Sequence, residues 1–141
     1  MKIVDLNVLI YAVDAKAPLH QAARGFLTDV MNSSETVGIP VAVAVGFVRL
    51  TTNPRVMVEP LDPPTSIGIV TGWLSRPNVT MPGPTRRHFE IFGEMLDTLG
   101  TAGNLVTDAH LATLAIEHGA ELCSFDHDFG RFPGLDWRLP Q

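Results

Sequence analysis

Residues 3–14 read IVDLNVLIYAVD, and nearly everything in them is apolar except Asp5, Asn7 and the closing Asp14. The short apolar run 2–4 suits a buried parallel strand, and Asn7 opens a helical stretch carrying Val8, Leu9, Ala12 and Val13. Asp5 falls where the strand ends and the helix begins. An ionised carboxylate left unpaired there would be costly, so Asp5 either caps the helix or serves a site outside the core.

The same alternation continues outward from this stretch. Leu19, Ala22, Ala23, Phe26, Leu27 and Val30 recur at helical spacing and predict an amphipathic helix over 18–31. A second strand is predicted at 36–39, and Pro40 suits the first position of a helix to about residue 52, ending before Asn53-Pro54. EPLDPPTS breaks the chain at 59–66, with Asp62 as N-cap of a helix over 63–74. Then come a brief strand at 79–81, a helix opened by Pro84 and running to 99, a break at GTAGN (100–104) and a helix over 105–118 stopped by Gly119. A strand at 121–125 and a turn-rich tail with a last short strand near Trp137 complete the order. Strands separated by helices imply an α/β fold, a mostly parallel central sheet flanked by helices on both faces in a Rossmann-like sandwich. Residues 1–141 are read as one domain, without repeats, low-complexity segments or a long linker.

At 45% hydrophobic residues the chain can bury a core without disulfides or structural metal. Its one cysteine, Cys123, lies in an apolar run and reads as a buried thiol, which excludes a disulfide framework or thiolate cage and fits a reducing compartment. With no signal-like start and no run near the roughly 20 apolar residues of a membrane span, a cytoplasmic protein without membrane contact is expected. A net charge of -5 argues against a protein that coats nucleic acid non-specifically, yet suits a carboxylate site for a divalent ion. The bases are eight arginines and two lysines, a balance that favours bidentate phosphate contacts.

Carboxylates recur where a parallel sheet would gather them. Asp5 follows the first strand, Asp126 and Asp128 follow ELCSF, and Asp108 lies in the first turn of the last long helix. All four are thereby aimed at one sheet edge, where open α/β sheets bind ligands. Such a cluster repels itself unless a cation neutralises it, and Mg²⁺ or Mn²⁺ are the hard ions that take oxygen ligands. A bound ion of this kind lowers the pKa of a water and stabilises charge on a phosphodiester. Against this stand plainer roles: a cap for Asp5, a helix-dipole partner for Asp108, and an Asx turn for Asp126 or Asp128. His110 and His127 are expected to point away from their acidic neighbours, Trp73 and Trp137 to pack, and Arg86 and Arg87 to lie on a solvated helix face.

Four segments together resemble the PIN-domain ribonucleases, and more narrowly the VapC-type toxins of bacterial toxin-antitoxin pairs. They are IVDLNVLIYAVD at 3–14, FVRLTTNPRV at 47–56, NLVTDAHLATLAIEHGA at 104–120 and SFDHDFGRFPGL at 124–135. The resemblance implies a single PIN-like domain in which Asp5 and Asp108 hold Mg²⁺, Asp126 is a further acid of the cluster and Asp128 lies close by. It also implies that Asn7 and Ser124 support the acids by hydrogen bonds. Cleavage of single strands in structured RNA, a homodimer and a partner antitoxin that blocks the site follow as expectations.

The chain departs from that family at one place. Many PIN nucleases carry a Glu three residues before the Arg of the third helix, and here that position is Gly46. Helical spacing predicts that a Glu there would point where Arg49 points, so Arg49 is expected to be free for a phosphate or an antitoxin carboxylate. Two other readings compete with the metal-dependent nuclease. One is a weakly active or inactive PIN-fold binding protein, suggested by Gly46. The other is a phosphatase with Asp5 as nucleophile, which would want an acid where Asn7 stands.

Overall fold

The computed structural model describes residues 1–100 and 103–141. Its centre is the strand that the opening stretch predicts: β1 (Lys2–Val4) pairs in parallel with β2 (Val37–Gly38) on one side and β4 (Glu121–Cys123) on the other. The outer strands β3 (Val79–Thr80) and β5 (Trp137–Arg138) complete a parallel sheet in the order β3-β2-β1-β4-β5. Ile3, Val4, Val37 and Leu122 are fully buried, which is why these runs are apolar without alternation.

The chain moves from β1 outward to β3 and then returns to lay β4 against the other side of β1. Right-handed crossovers place the connections made before and after that reversal on opposite faces. The principal helix contacts divide in the same way. Helix α1 (Leu6–Val13) packs on α2 (His20–Met31) and α3 (Val41–Thr51), α3 packs on α4 (Pro63–Leu74), and α5 (His88–Leu99) packs on α6 (Val106–Glu117). The fold is therefore the expected α/β sandwich. Its topological switch point lies between β1 and β4.

The ends of several elements differ from expectation for local reasons. Helix α4 has the predicted bounds, and Asp62 caps it by accepting a 2.9 Å bond from Thr65 N. Pro40 stands one place earlier than expected, as N-cap of α3, and α2 begins at His20 after turns that start from Asp14 and Ala17. Pro84 does not open α5. Thr85 is bonded instead through Oγ1 and N to the Glu117 carboxylate (2.9 and 3.3 Å), and the helix starts only at His88. A short 3-10 turn (Gly103–Leu105) leads into α6, and Gly100 and Gly119 supply the left-handed φ of 66° and 58° after α5 and α6. The predicted break at 100–104 includes residues 101 and 102, which lie outside the described residues. Among the described residues no helix is long and apolar enough to cross a membrane.

Candidate active site

The β1–β4 register builds the site. Val4 stands opposite Cys123, Asp5 N donates to Cys123 O at 3.0 Å, and so the next residues on the two strands, Asp5 and Ser124, meet side by side. Ser124 is fully buried and uses every hydrogen-bonding position of its hydroxyl: Oγ donates to Asp5 Oδ2 (2.6 Å) and accepts from Asn7 Nδ2 (3.0 Å) and Asp126 N (3.0 Å). Asn7 Nδ2 also donates to Asp5 Oδ2 (2.8 Å), while its Oδ1 accepts from Phe125 N (3.3 Å). Trp137 bonds through Nε1 to Ser124 O at 3.0 Å, so its indole holds the β4 exit in place as well as packing there. Nothing in the sequence singled out that contact.

Asp5 is both a cap and a site residue. Its Oδ1 accepts from Leu6 N at 2.6 Å at the start of α1. Three of its roughly four lone-pair positions are then taken. Burial raises the Asp5 pKa, hydrogen bonds from Ser124 and Leu6 N oppose the rise, and the Asp126 charge adds to it. Asp108, in the first turn of α6, lines the same cavity as Asp5 and has no such donors to oppose the shift. Burial first, then the charges of Asp5, Asp126 and Asp128, raise its carboxyl to about 6. The structure thus brings all four predicted acids into one electrostatic neighbourhood. Asp126 is also an Asx-turn residue, with Oδ1 accepting from Asp128 N at 2.8 Å, and Asp128 is exposed.

Asp5, Leu6, Ala42, Val43, Asp108 and His110 line a cavity of about 130 Å³ at this edge. His110 also lines that cavity, and its ring is bonded to another helix, not to Asp108. Its Nδ1 is bonded at 2.8 Å to Nε2 of buried His88, a tertiary contact that fixes the ring's orientation. Burial and then His88 hold the His110 pKa below the usual imidazole value. His127 does stay apart from the acids and packs edge-on against Trp137, as Trp73 does against Phe47.

Gly46 stands in a close-packed place. It is buried against α1, and a Cβ there would stand 2.8 Å from Leu6 Cδ2, whereas Arg49 is exposed. The tight α1–α3 packing takes up the space in which a longer side chain at Gly46 would begin. Arg49 does not line the cavity, and among the described residues it forms no ion pair.

Among the described residues no three His, Cys, Asp or Glu side chains converge as a closed metal cage. The donors fit a hard cation of another kind. Mg²⁺ is ordinarily bound through one or two carboxylates with water and phosphate completing the octahedron, and Asp5 and Asp108 face one cavity. A bound cation would offset the part of the Asp108 shift that comes, after burial, from the charges of Asp5, Asp126 and Asp128.

The PIN domain model matches residues 2–135. Ribonuclease VapC37 of Mycobacterium tuberculosis is 42% identical over 140 residues, covering 99% of this chain and 97% of that protein. Ribonuclease VapC33 of the same species is 41% identical over 140 residues, covering 99% and 98%. Among solved structures, Mycobacterium tuberculosis VapC20, described as a Sarcin-Ricin loop cleaving toxin, matches with a TM-score of 0.70 at 17% identity over 96% of this chain and 98% of that one. VapBC2 from Rickettsia felis, bound to a DNA fragment from its promoter, matches with a TM-score of 0.69 at 18% identity over 98% and 97%. The last two are likenesses of fold. The family model and the relatives, each extending over nearly the whole length, show that this chain belongs to the PIN-domain family and, within it, to the VapC ribonucleases.

Proposed function

We propose that residues 1–141 act as one PIN-like domain, a Mg²⁺-dependent endoribonuclease and the toxin of a toxin-antitoxin pair, with Mn²⁺ as the alternative ion. One observation carries this reading: Asp5 and Asp108 share a cavity at the β1/β4 switch point, within the field of Asp126 and Asp128, in a VapC ribonuclease chain. Asp5 and Asp108 would hold the ion, with Asp126 nearest to assist. When bound, the ion supplies a water of lowered pKa and neutralises charge on the phosphodiester. The chain's own part is to hold its donors still: Ser124 and Asn7 keep Asp5 in one orientation, and the start of α6 presents Asp108 across from it. Arg49, exposed and unpaired among the described residues, suits an RNA phosphate or an antitoxin carboxylate. Single-stranded segments of structured RNA are the proposed substrate, in a cytoplasmic homodimer whose antitoxin blocks the cavity.

The test is incubation with a panel of structured RNAs in Mg²⁺, in Mn²⁺ and in chelator. Cleavage that needs the ion and disappears in Asp5→Ala and Asp108→Ala supports the assignment; undiminished cleavage in either variant defeats it. A second reading, a weakly active or inactive PIN-fold binding protein, is favoured by the Leu6 side chain standing where a Gly46 substituent would begin. No cleavage of any RNA with either ion would decide for it.

A further inference from the structure

The cavity that Asp5 and Asp108 line has two further polar side chains, Thr107 and His110, and a chain of part-buried hydrogen bonds stands behind the imidazole. Glu117, at the end of α6, accepts from His88 Nδ1 at 2.8 Å, and both side chains are 2% exposed. Thr85 donates to the same carboxylate. Burial pushes the Glu117 pKa up, but the bonds from His88 and Thr85 outweigh it and keep the group acidic. Across the ring, His88 Nε2 lies 2.8 Å from His110 Nδ1.

The chain has a direction. With both imidazoles neutral, as above the imidazole range, an ionised carboxylate only accepts, so His88 Nδ1 carries the proton and its Nε2 is the acceptor. His110 Nδ1 must then donate to it, which leaves His110 Nε2 with a lone pair. Among the described residues that nitrogen has no protein partner. A cavity lined also by Asp5, Asp108, Thr107 and apolar groups thus gains, in the neutral His110 ring, an acceptor whose orientation is fixed by protein bonds, suited to a ligand hydroxyl. The group that distinguishes RNA from DNA is such a hydroxyl.

Resting on the ribonuclease reading above, we infer that His110 Nε2 accepts a hydrogen bond from a ribose 2′-hydroxyl of the bound RNA, with His88 and Glu117 as positioning residues that impose its polarity. His110 is then a substrate-contacting residue that selects RNA over DNA.

The test uses an oligoribonucleotide that the protein cleaves, and copies with a single 2′-fluoro substitution at each nucleotide flanking the cut, in single-turnover assays at about pH 8, above the imidazole range. Fluorine keeps the sugar pucker but cannot donate. The parent protein should lose about tenfold at one position, the equivalent of one hydrogen bond. His110→Ala should be slower on the all-ribose strand and indifferent to fluorine there, and His110→Gln, whose Oε1 can accept, should recover part of the discrimination. Glu117→Gln allows either amide atom to face His88 and should shrink the fluorine effect, whereas a purely structural clamp would lower Tm and leave that ratio unchanged. A parent indifferent to fluorine at every position, or a His110→Ala protein as discriminating as the parent, overturns the inference while cleavage itself stands. Absence of metal-dependent cleavage overturns the ribonuclease reading, cleavage undiminished in Asp108→Ala overturns its site assignment, and either takes this inference with it.

Discussion

Ser124 Oγ donates a 2.6 Å hydrogen bond to Asp5 Oδ2 across 119 residues of sequence, joining the ends of the two central strands. The bond is part-buried, and one of its partners is a carboxylate, so it belongs to the stronger class of hydrogen bonds.

Ser124→Ala should therefore destabilise the protein by about 1–3 kcal/mol in denaturant titrations, since Asp5, Asn7 and Asp126 N each lose a partner. The Asp5 pKa should rise further, because the hydroxyl is the main opponent of its burial. An unchanged midpoint would show that water takes over all three bonds.

Asp108 makes the metal-free protein sensitive to pH. Its folded-state carboxyl titrates at about 6, above the unfolded value near ~3.9. The folded chain binds more protons in that window, so stability falls as pH rises from about 4 to about 6 and stays reduced above it. Asp108→Asn should remove the penalty. Because the group is only half-buried, the gain at neutral pH should be roughly 1 kcal/mol rather than the full shift, with none below about pH 4. Tm measured against pH in chelator for both proteins checks the sign.

A divalent ion should act in the opposite direction. Mg²⁺ at about 100 times its Kd should stabilise the parent by about 2.7 kcal/mol, and Asp5→Ala or Asp108→Ala should lose most of that gain. Thermal shift against Mg²⁺ concentration reads this without any cleavage assay.

Restoring an acid at Gly46 should not be free of consequence. Gly46→Glu removes a helical glycine, worth about 1 kcal/mol, but forces Leu6 Cδ2 away from a Cβ that would stand at 2.8 Å, an overpacking cost of about 1–3 kcal/mol. Net destabilisation is expected. Leu6→Ala in the same chain should relieve it, so the double-mutant cycle should show favourable coupling, whereas additive effects would show that the two side chains do not compete.

Fold and acids could be read from the sequence because both depend on local pattern. Strands buried on both faces must be apolar runs, and helices that cover them must repeat at helical spacing. Where carboxylates then follow strands or open a helix, a parallel sheet gathers them at one edge, which is why Asp5, Asp108 and Asp126 could be named. Asn7 and Ser124 came from likeness to a family, not from spacing.

What escaped the sequence depends on contacts between distant segments. Pro84 favours a helix start locally, yet Thr85 is held by Glu117 and the start moves to His88. The i, i+2 spacing turns His110 from Asp108, but only the fold bonds its ring to His88 of another helix and puts both residues in the lining of one cavity. Gly46 is one more helix position by spacing, but only the packing of Leu6 closes it to a side chain. Sequence alone determined which elements form and which edge collects the acids, because backbone preference and burial act over a few residues. Tertiary structure alone decided which side chains meet there, because hydrogen bonds and packing are settled between atoms that the sequence does not order.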